Sequence, residues 1–347
     1  MSSQPKDYNP SGVSERNGNL LGLPFDYESA KLIVIGVPWE VTVSYGAGTA
    51  NGPQRVLDAS TQLDLFDFDN PEGWKQGIFM LEIPQDILEK NKYYRVLAAN
   101  IIERLEQGKH LTDTPDLTPI LREINQACQQ VNQWLFEKCQ AVINDGKQVA
   151  VIGGDHSSPL GYLQALAAKY TNYGILHIDA HADLRNAYEG FEFSHASIMF
   201  NALKLPQISK LVQVGLRDIC YEEVQLIAHS HNRIVAYYDS AIKQELFSGK
   251  AWIESCREII SHLPELVYIS FDVDGLDPKL CPNTGTPVPG GLELEQTFCL
   301  LRELLKSGRK IIGFDLCEVG DAEWDGNVGA RIVYKLGNLM DLSQQPN

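Results

Sequence analysis

The chain has 347 residues, 44% hydrophobic and 21% charged, enough apolar material for one large α/β domain with a sizeable core. Its formal charge of −16 argues against nucleic acid or an anionic membrane as a partner and mildly favours a cationic small molecule. Seven dispersed cysteines without a CxxC pair, and no apolar run near the roughly 20 residues of a spanning helix, point to reduced thiols in a cytoplasmic protein.

Residues 1–30 are polar, aperiodic and rich in Pro, Gly and Asn, and are expected to lie as an arm on the surface or on a neighbouring subunit. Lys31-Leu32-Ile33-Val34-Ile35-Gly36 reads as a buried strand opening a single domain over 31–340. Residues 88–118 hold a charged helix near 92–107 and a loop from Gly108 to Thr118, expected as a helical insertion or cap. A helix over 120–144 precedes a strand over 148–152, which ends on Gly153-Gly154-Asp155-His156-Ser157. After a helix over 158–169, a strand over 173–178 runs into Asp179-Ala180-His181-Ala182-Asp183. Strands over 210–215 and 233–238 follow, then one over 266–271 that closes on Asp272-Val273-Asp274-Gly275. A helix over 292–306 and a strand over 309–314 come last, leading to Asp315 and Glu318. This alternation implies parallel βαβ crossovers and an α/β fold, a three-layer α/β/α sandwich around a mostly parallel sheet.

Ligands collect beyond the carboxyl ends of such strands, which is where the acid-rich blocks stand. Bare carboxylates at the ends of core strands need a compensating charge, and a pair of divalent cations is the simplest one. His156, Asp179, His181, Asp183, Asp272 and Asp274 form a set with no thiol and too many donors for one tetrahedral zinc, suited to two ions such as Mn²⁺. Asp-x-His-x-Asp and Asp-x-Asp exploit the alternation of extended backbone, which turns residues i and i+2 the same way. Between two such ions a water ionises near neutral pH and becomes a nucleophile. His195 follows at loop distance as a candidate proton shuttle. Glu318 is a further strand-end carboxylate, able to fork a planar guanidinium. Thr286 is a candidate loop hydroxyl, and His177 reads as a core or supporting residue.

With these motifs on the page, the chain resembles the ureohydrolase family, which includes arginase, agmatinase, guanidinobutyrase, guanidine hydrolase and formimidoylglutamase. The resemblance runs from about residue 32 to about 335 and includes Thr284-Gly285-Thr286-Pro287. It implies an arginase-like fold, a binuclear manganese centre and assembly as a homotrimer or homohexamer. It also implies His156, Asp179, Asp183 and Asp272 as ligands of one ion, and His181, Asp179, Asp272 and Asp274 as ligands of the other. Asp183 would further orient a bridging hydroxide, His195 would shuttle protons, and Glu318 would bind the guanidinium. The implied reaction is attack of metal-bridging hydroxide on the guanidinium carbon, giving urea and an amine.

Several positions depart from the family pattern. Arg185 stands where arginase-like sequences carry Asn, and Phe191 and Phe193 stand where they offer Ser and Asn. Ile219-Cys220 replaces an acidic residue, and His195-Ala196-Ser197 replaces His-Gly-Thr. Arg185, Ser197, Thr286 and Glu318 are therefore the candidate substrate contacts. An Arg185 facing the pocket would favour a guanidino acid; aromatic closure by Phe191 and Phe193 would suit free guanidine. Formimidoylglutamate, releasing formamide, is the alternative substrate, Ni²⁺ the alternative metal, and a non-catalytic ligand-binding relative the alternative outside enzymology. Trp39 and Trp324 are further candidates for walls of the site.

Overall fold

The structure, a computed structural model, describes residues 8–345. Eight strands form one sheet: β1 Leu32–Gly36, β2 Ile78–Met80, β3 Gln148–Ile152, β4 Tyr173–Ile178, β5 Ile208–Leu216, β6 Ile234–Tyr238, β7 Leu266–Asp272 and β8 Lys310–Cys317. Ten α-helices connect and cover them: α1 Gly52–Ser60, α2 Gln85–Glu106, α3 Leu117–Asn144, α4 Leu160–Lys169, α5 Ile198–Ala202, α6 Tyr221–Ala228, α7 Asp239–Phe247, α8 Trp252–Ser261, α9 Leu294–Lys306 and α10 Glu323–Ser343. The strand order is β2-β1-β3-β8-β7-β4-β5-β6, and every pairing is parallel. Strands covered on both faces lose their polar alternation, so β1 and β4 are apolar and buried along nearly their whole length. Helices α1, α10, α9 and α8 pack in series as one layer, and α2, α3, α4 and α5 as another.

The strand order explains how distant blocks meet. β3, β8, β7 and β4 are consecutive neighbours in the sheet. Their carboxyl ends lead respectively into His156, Glu318, Asp272 with Asp274, and Asp179 with His181 and Asp183. Between β3 and β4 the chain passes over the two strands β8 and β7, and the carboxyl ends at such a switch are where open parallel sheets take their ligands.

Two expectations need correction. Residues 1–7 of the expected arm lie outside the described residues, and the following stretch is exposed only as far as Gly18. Leu20, Leu21, Leu23 and Phe25 are buried in the core. What draws them in is Asn19. Its Oδ1 accepts the amides of Leu20 at 2.8 Å and Met80 at 3.0 Å, while its Nδ2 donates to the carbonyls of Leu23, Phe25 and Ile78. One amide thus sews the segment onto β2, the strand the sequence did not reveal. Asn19→Ala removes all five bonds and leaves buried polar groups unpaired, so a loss of about 2–4 kcal/mol is expected, measured as a lowered urea midpoint. The second correction concerns 88–118. Ile87, Ala98, Ile101 and Ile102 of α2 belong to the core, so this stretch is part of a helical layer rather than a cap apart from it.

Candidate metal centre

β3 delivers His156 through two glycines. A Cβ at Gly154 would sit 2.0 Å from the carbonyl oxygen of Trp39, so only glycine lets the loops after β1 and β3 approach this closely. The buried His156 ring then meets three carboxylates with one nitrogen. Its Nδ1 lies 3.0 Å from Asp179 Oδ2, 3.1 Å from Asp272 Oδ2 and 3.3 Å from Asp183 Oδ2. Its Nε2 lies 2.8 Å from Ser270 Oγ. A second group forms beside it, where His181 Nδ1 lies 3.0 Å from Asp274 Oδ2 and 3.5 Å from Asp179 Oδ1. Asp179 therefore offers one oxygen to each group, and all six residues singled out from the sequence converge here.

His177 enters the first group by distance, with Nε2 2.8 Å from Asp179 Oδ2. Its Nδ1 accepts from Gln213 Nε2 at 2.9 Å, which leaves the proton on Nε2 and no free lone pair toward the centre. It packs against Asp179, with Nε2 close to the carboxylate and making no hydrogen bond there.

Two of the site residues have left-handed backbones rare outside glycine, Asp183 at φ +55° and Glu318 at φ +65°. Asp183 is clamped from both sides. Its carbonyl accepts the Met199 and Phe200 amides at the start of α5, and the next amide, Leu184, donates to Glu223 Oε1 at 2.9 Å. Glu318 donates its amide to Gly154 O at 2.8 Å and accepts the His156 amide on Oε1 at 3.0 Å. Its other oxygen, Oε2, is buried with no partner.

The electrostatics show what is lacking. Among the described residues no lysine or arginine nitrogen lies within 4.0 Å of the carboxylate oxygens of Asp179, Asp183, Asp272, Asp274 or Glu318, and Arg217 reaches only the backbone carbonyl of Asp274. Burial, then Asp274 and Asp179, push the Asp272 carboxyl well above its usual range. Burial and Asp179 push Asp183 up to about 6. Burial, then Asp155 and Asp274, raise Glu318 strongly. Burial opposes charge on Asp179 too, but His177, His156 and His181 outweigh it and hold that carboxyl low. Crowded carboxylates and imidazoles without a countercharge are the donor chemistry of divalent first-row ions, and the residues present fit a pair of them.

The remaining candidates surround this centre. His195 donates its amide to Thr42 Oγ1 at 3.1 Å, and its ring is pushed down to about 3 by burial and by facing His181 and His156. Thr286 Oγ1 donates to Asp274 Oδ2 at 3.3 Å. Ser197 is fully buried, and its Oγ has no partner. Arg185 is part-exposed, with its guanidinium 4.6 Å over the Tyr188 ring and Nε 4.0 Å from Glu223 Oε2. Phe191 is buried in the core and Phe193 packs against it, so Phe191 anchors the loop and does not close a pocket. Trp39 is buried and Trp324 exposed.

Sequence reasoning missed Thr42, Ser270, Gln213 and Glu223. Ser270 had a signal, since it precedes Asp272 by two residues on the same face of β7. Thr42 had none, because it reaches His195 and Asp155 only through the fold.

Known proteins resemble this chain over most of its length. The model of the Arginase family matches residues 30–336. The chain is 27% identical over 325 residues to the N(1)-aminopropylagmatine ureohydrolase of Synechocystis sp., covering 92% of both chains. It is 29% identical over 322 residues to the Thermus thermophilus protein of the same name, covering 91% of this chain and 92% of that one. Among solved structures it is similar to the agmatine ureohydrolase of Thermoplasma volcanium, with TM-score 0.70, 22% identity and 94% of both chains covered. That last likeness speaks for the fold.

Proposed function

The chain belongs to the arginase family of guanidino hydrolases, and from that premise we propose that it uses two divalent cations to cleave agmatine-type guanidino amines to urea and an amine. The observation carrying this reading is the pairing of two histidine–carboxylate groups that share Asp179 with a glutamate, Glu318, whose free buried oxygen has no partner. His156, Asp179, Asp183 and Asp272 would hold one ion, and His181, Asp179, Asp272 and Asp274 the other, with Mn²⁺ foremost and Ni²⁺ the alternative. Bound there, such ions lower the pKa of a water to near neutrality and offset charge that develops in the transition state.

The chain's own residues supply the rest. Glu318 receives the guanidinium edge through the oxygen that lacks a partner and so orients the central carbon toward the shared aspartates. His195, whose amide is held by Thr42 Oγ1 beside the centre, can take a proton and pass it to the leaving nitrogen. The bond from carbon to the tail nitrogen breaks, that nitrogen leaves protonated as the amine, and the carbon keeps its two terminal nitrogens and the oxygen of water as urea. Thr286 holds Asp274 in place, and Ser197 adds a buried hydroxyl beside His195.

An amine tail is favoured over a carboxylate tail because Arg185 already has Tyr188 and Glu223 as partners, and Glu189 and Glu222 line the same cavity. We further propose assembly as a homotrimer or homohexamer in the cytoplasm, with no nucleic-acid or membrane partner. Among the described residues no helix is long and apolar enough to cross a membrane.

The test is urea release from agmatine, N(1)-aminopropylagmatine, arginine, guanidinobutyrate and guanidine after separate loading with Mn²⁺ and Ni²⁺. Guanidino amines are expected to lead by roughly 10–100-fold in kcat/KM, the worth of one charged hydrogen bond. Preference for guanidinobutyrate, lost in Arg185→Ala, would transfer the tail contact to Arg185. No urea from any substrate, with formamide released from formimidoylglutamate, would overturn the reaction itself.

A further inference from the structure

Between Asp183 and His195 the chain makes a turn that is unfavourable on its own terms. Ala187, Glu189 and Gly190 all have left-handed backbones, at φ +51°, +56° and +86°. For the two that are not glycine this costs roughly 1–2 kcal/mol each, so the surroundings must impose it.

The imposing residue is on α3. Asn125 Nδ2 donates to the carbonyl of Gly190 at 3.2 Å, and Asn125 Oδ1 accepts the amide of Glu192 at 2.8 Å. One side-chain amide thus holds both sides of Phe191, whose ring is sunk in the core. Asn201 Nδ2 fixes the Glu192 carbonyl from the other side at 2.8 Å. Leu111 and Leu121 close over Gly190, where an added Cβ would come within 2.8 Å of each.

Held this way, the turn lines with Tyr188 and Glu189 a cavity of about 480 Å³ whose wall also includes Leu184, Arg185, Glu222 and Glu223. Tyr188 stands with its ring 6.4 Å from that of His195. Glu189 is half-buried, and its Oε2 is fully enclosed without a hydrogen-bond partner. The charged groups facing it are Glu106 and Arg95 from α2, with Arg185 from its own loop. None of the cations is within 4.0 Å among the described residues. A carboxylate so placed has no cation in direct contact, and the cavity beside it is large enough for an alkylamine tail.

We propose that Asn125, outside the metal centre, is the positioning residue that holds Glu189 at the outer cavity, and that Glu189 receives the ammonium group in the tail of the guanidino substrate. This rests on the hydrolase reading above and names the residues that would read the distal ammonium of its guanidino amine.

The test compares wild type, Asn125→Ala, Glu189→Gln and the double variant. KM for agmatine and N(1)-aminopropylagmatine should rise roughly tenfold in each single variant, with kcat within about twofold and metal content unchanged. The double variant should be no worse than Glu189→Gln, because Asn125 acts through Glu189. KM for tailless guanidine should not move. Unchanged KM in Glu189→Gln overturns the proposal, as does a double variant whose losses multiply. Calorimetric binding of spermidine separates the two levels. A wild type that binds spermidine about tenfold more tightly than Glu189→Gln, yet releases no urea from any guanidino compound, would sink the hydrolase and keep the tail site. If Asn125→Ala does not fold, Glu189→Gln decides the matter alone.

Discussion

Asp272→Asn is expected to lower kcat by roughly three orders of magnitude while leaving the metal-free fold as stable as before, or more so. The two halves follow from one geometry. Asp272 Oδ2 lies 3.1 Å from His156 Nδ1, and its Oδ1 accepts the Asp274 amide at 2.8 Å, so the side chain links the His156 group to the turn that carries Asp274. Without cations its charge is a liability, since burial, Asp274 and Asp179 all disfavour it. Asparagine removes that repulsion and keeps the carbonyl that caps the turn. Cations reverse the sign. A ligand bound only by the folded state stabilises it by about 2.7 kcal/mol at a hundredfold excess over Kd. The wild type should therefore melt at a higher temperature with added Mn²⁺ than in EDTA, and the variant should show little of that gain. Metal content and paired melting curves give the readout. Retained turnover, or an undiminished metal-dependent shift, would sink the two-ion centre.

Glu318→Gln should cost roughly 10²–10³ in kcat/KM for every guanidino substrate, with metal content intact. The substitution is selective for a geometric reason. Oε1 serves the fold, accepting the His156 amide, and glutamine retains an acceptor there. Oε2 has no protein partner, and glutamine replaces its charge with an amide that cannot fork a guanidinium. Burial, Asp155 and Asp274 all disfavour the charge in the free protein, so the variant should also melt no lower than wild type. Loss across all substrates distinguishes this residue from Glu189, whose removal should spare guanidine. A variant with normal kcat/KM would remove Glu318 from the reaction.

Much of this was legible in the chain because parallel sheets write themselves plainly. Val149-Ala150-Val151-Ile152 and Tyr268-Ile269-Ser270-Phe271 are short apolar runs, and a carboxylate or imidazole ending such a run has little structural reason to be there. Strand-end position then converts into convergence through topology. What escaped were contacts made across the fold by ordinary polar residues. β2 is three residues long, too short to show a period. Leu20 to Phe25 lie among Asn, Gly and Pro, and only the five bonds of Asn19 reveal why they are inside. Asn125 sits in a helix surrounded by polar neighbours, and nothing local says that its amide holds a loop 65 residues away. Arg185 illustrates the limit on sign: the residue type suggested an anion site, whereas its neighbours Tyr188 and Glu223 already occupy it.

The place of β8 has a kinetic consequence. It is the last strand in chain order among the described residues, yet it lies between β3 and β7, near the middle of the sheet. During synthesis β1 and β3 can pair early, but β3 and β7 cannot be joined until Lys310–Cys317 has emerged. Until then both strands keep an open edge, and His156 and Asp272 are held apart by the missing strand. Assembly of the histidine–carboxylate cluster is thereby deferred to a nearly finished chain. The long interval before closure is expected to slow folding, with pairing through those open edges as the competing outcome.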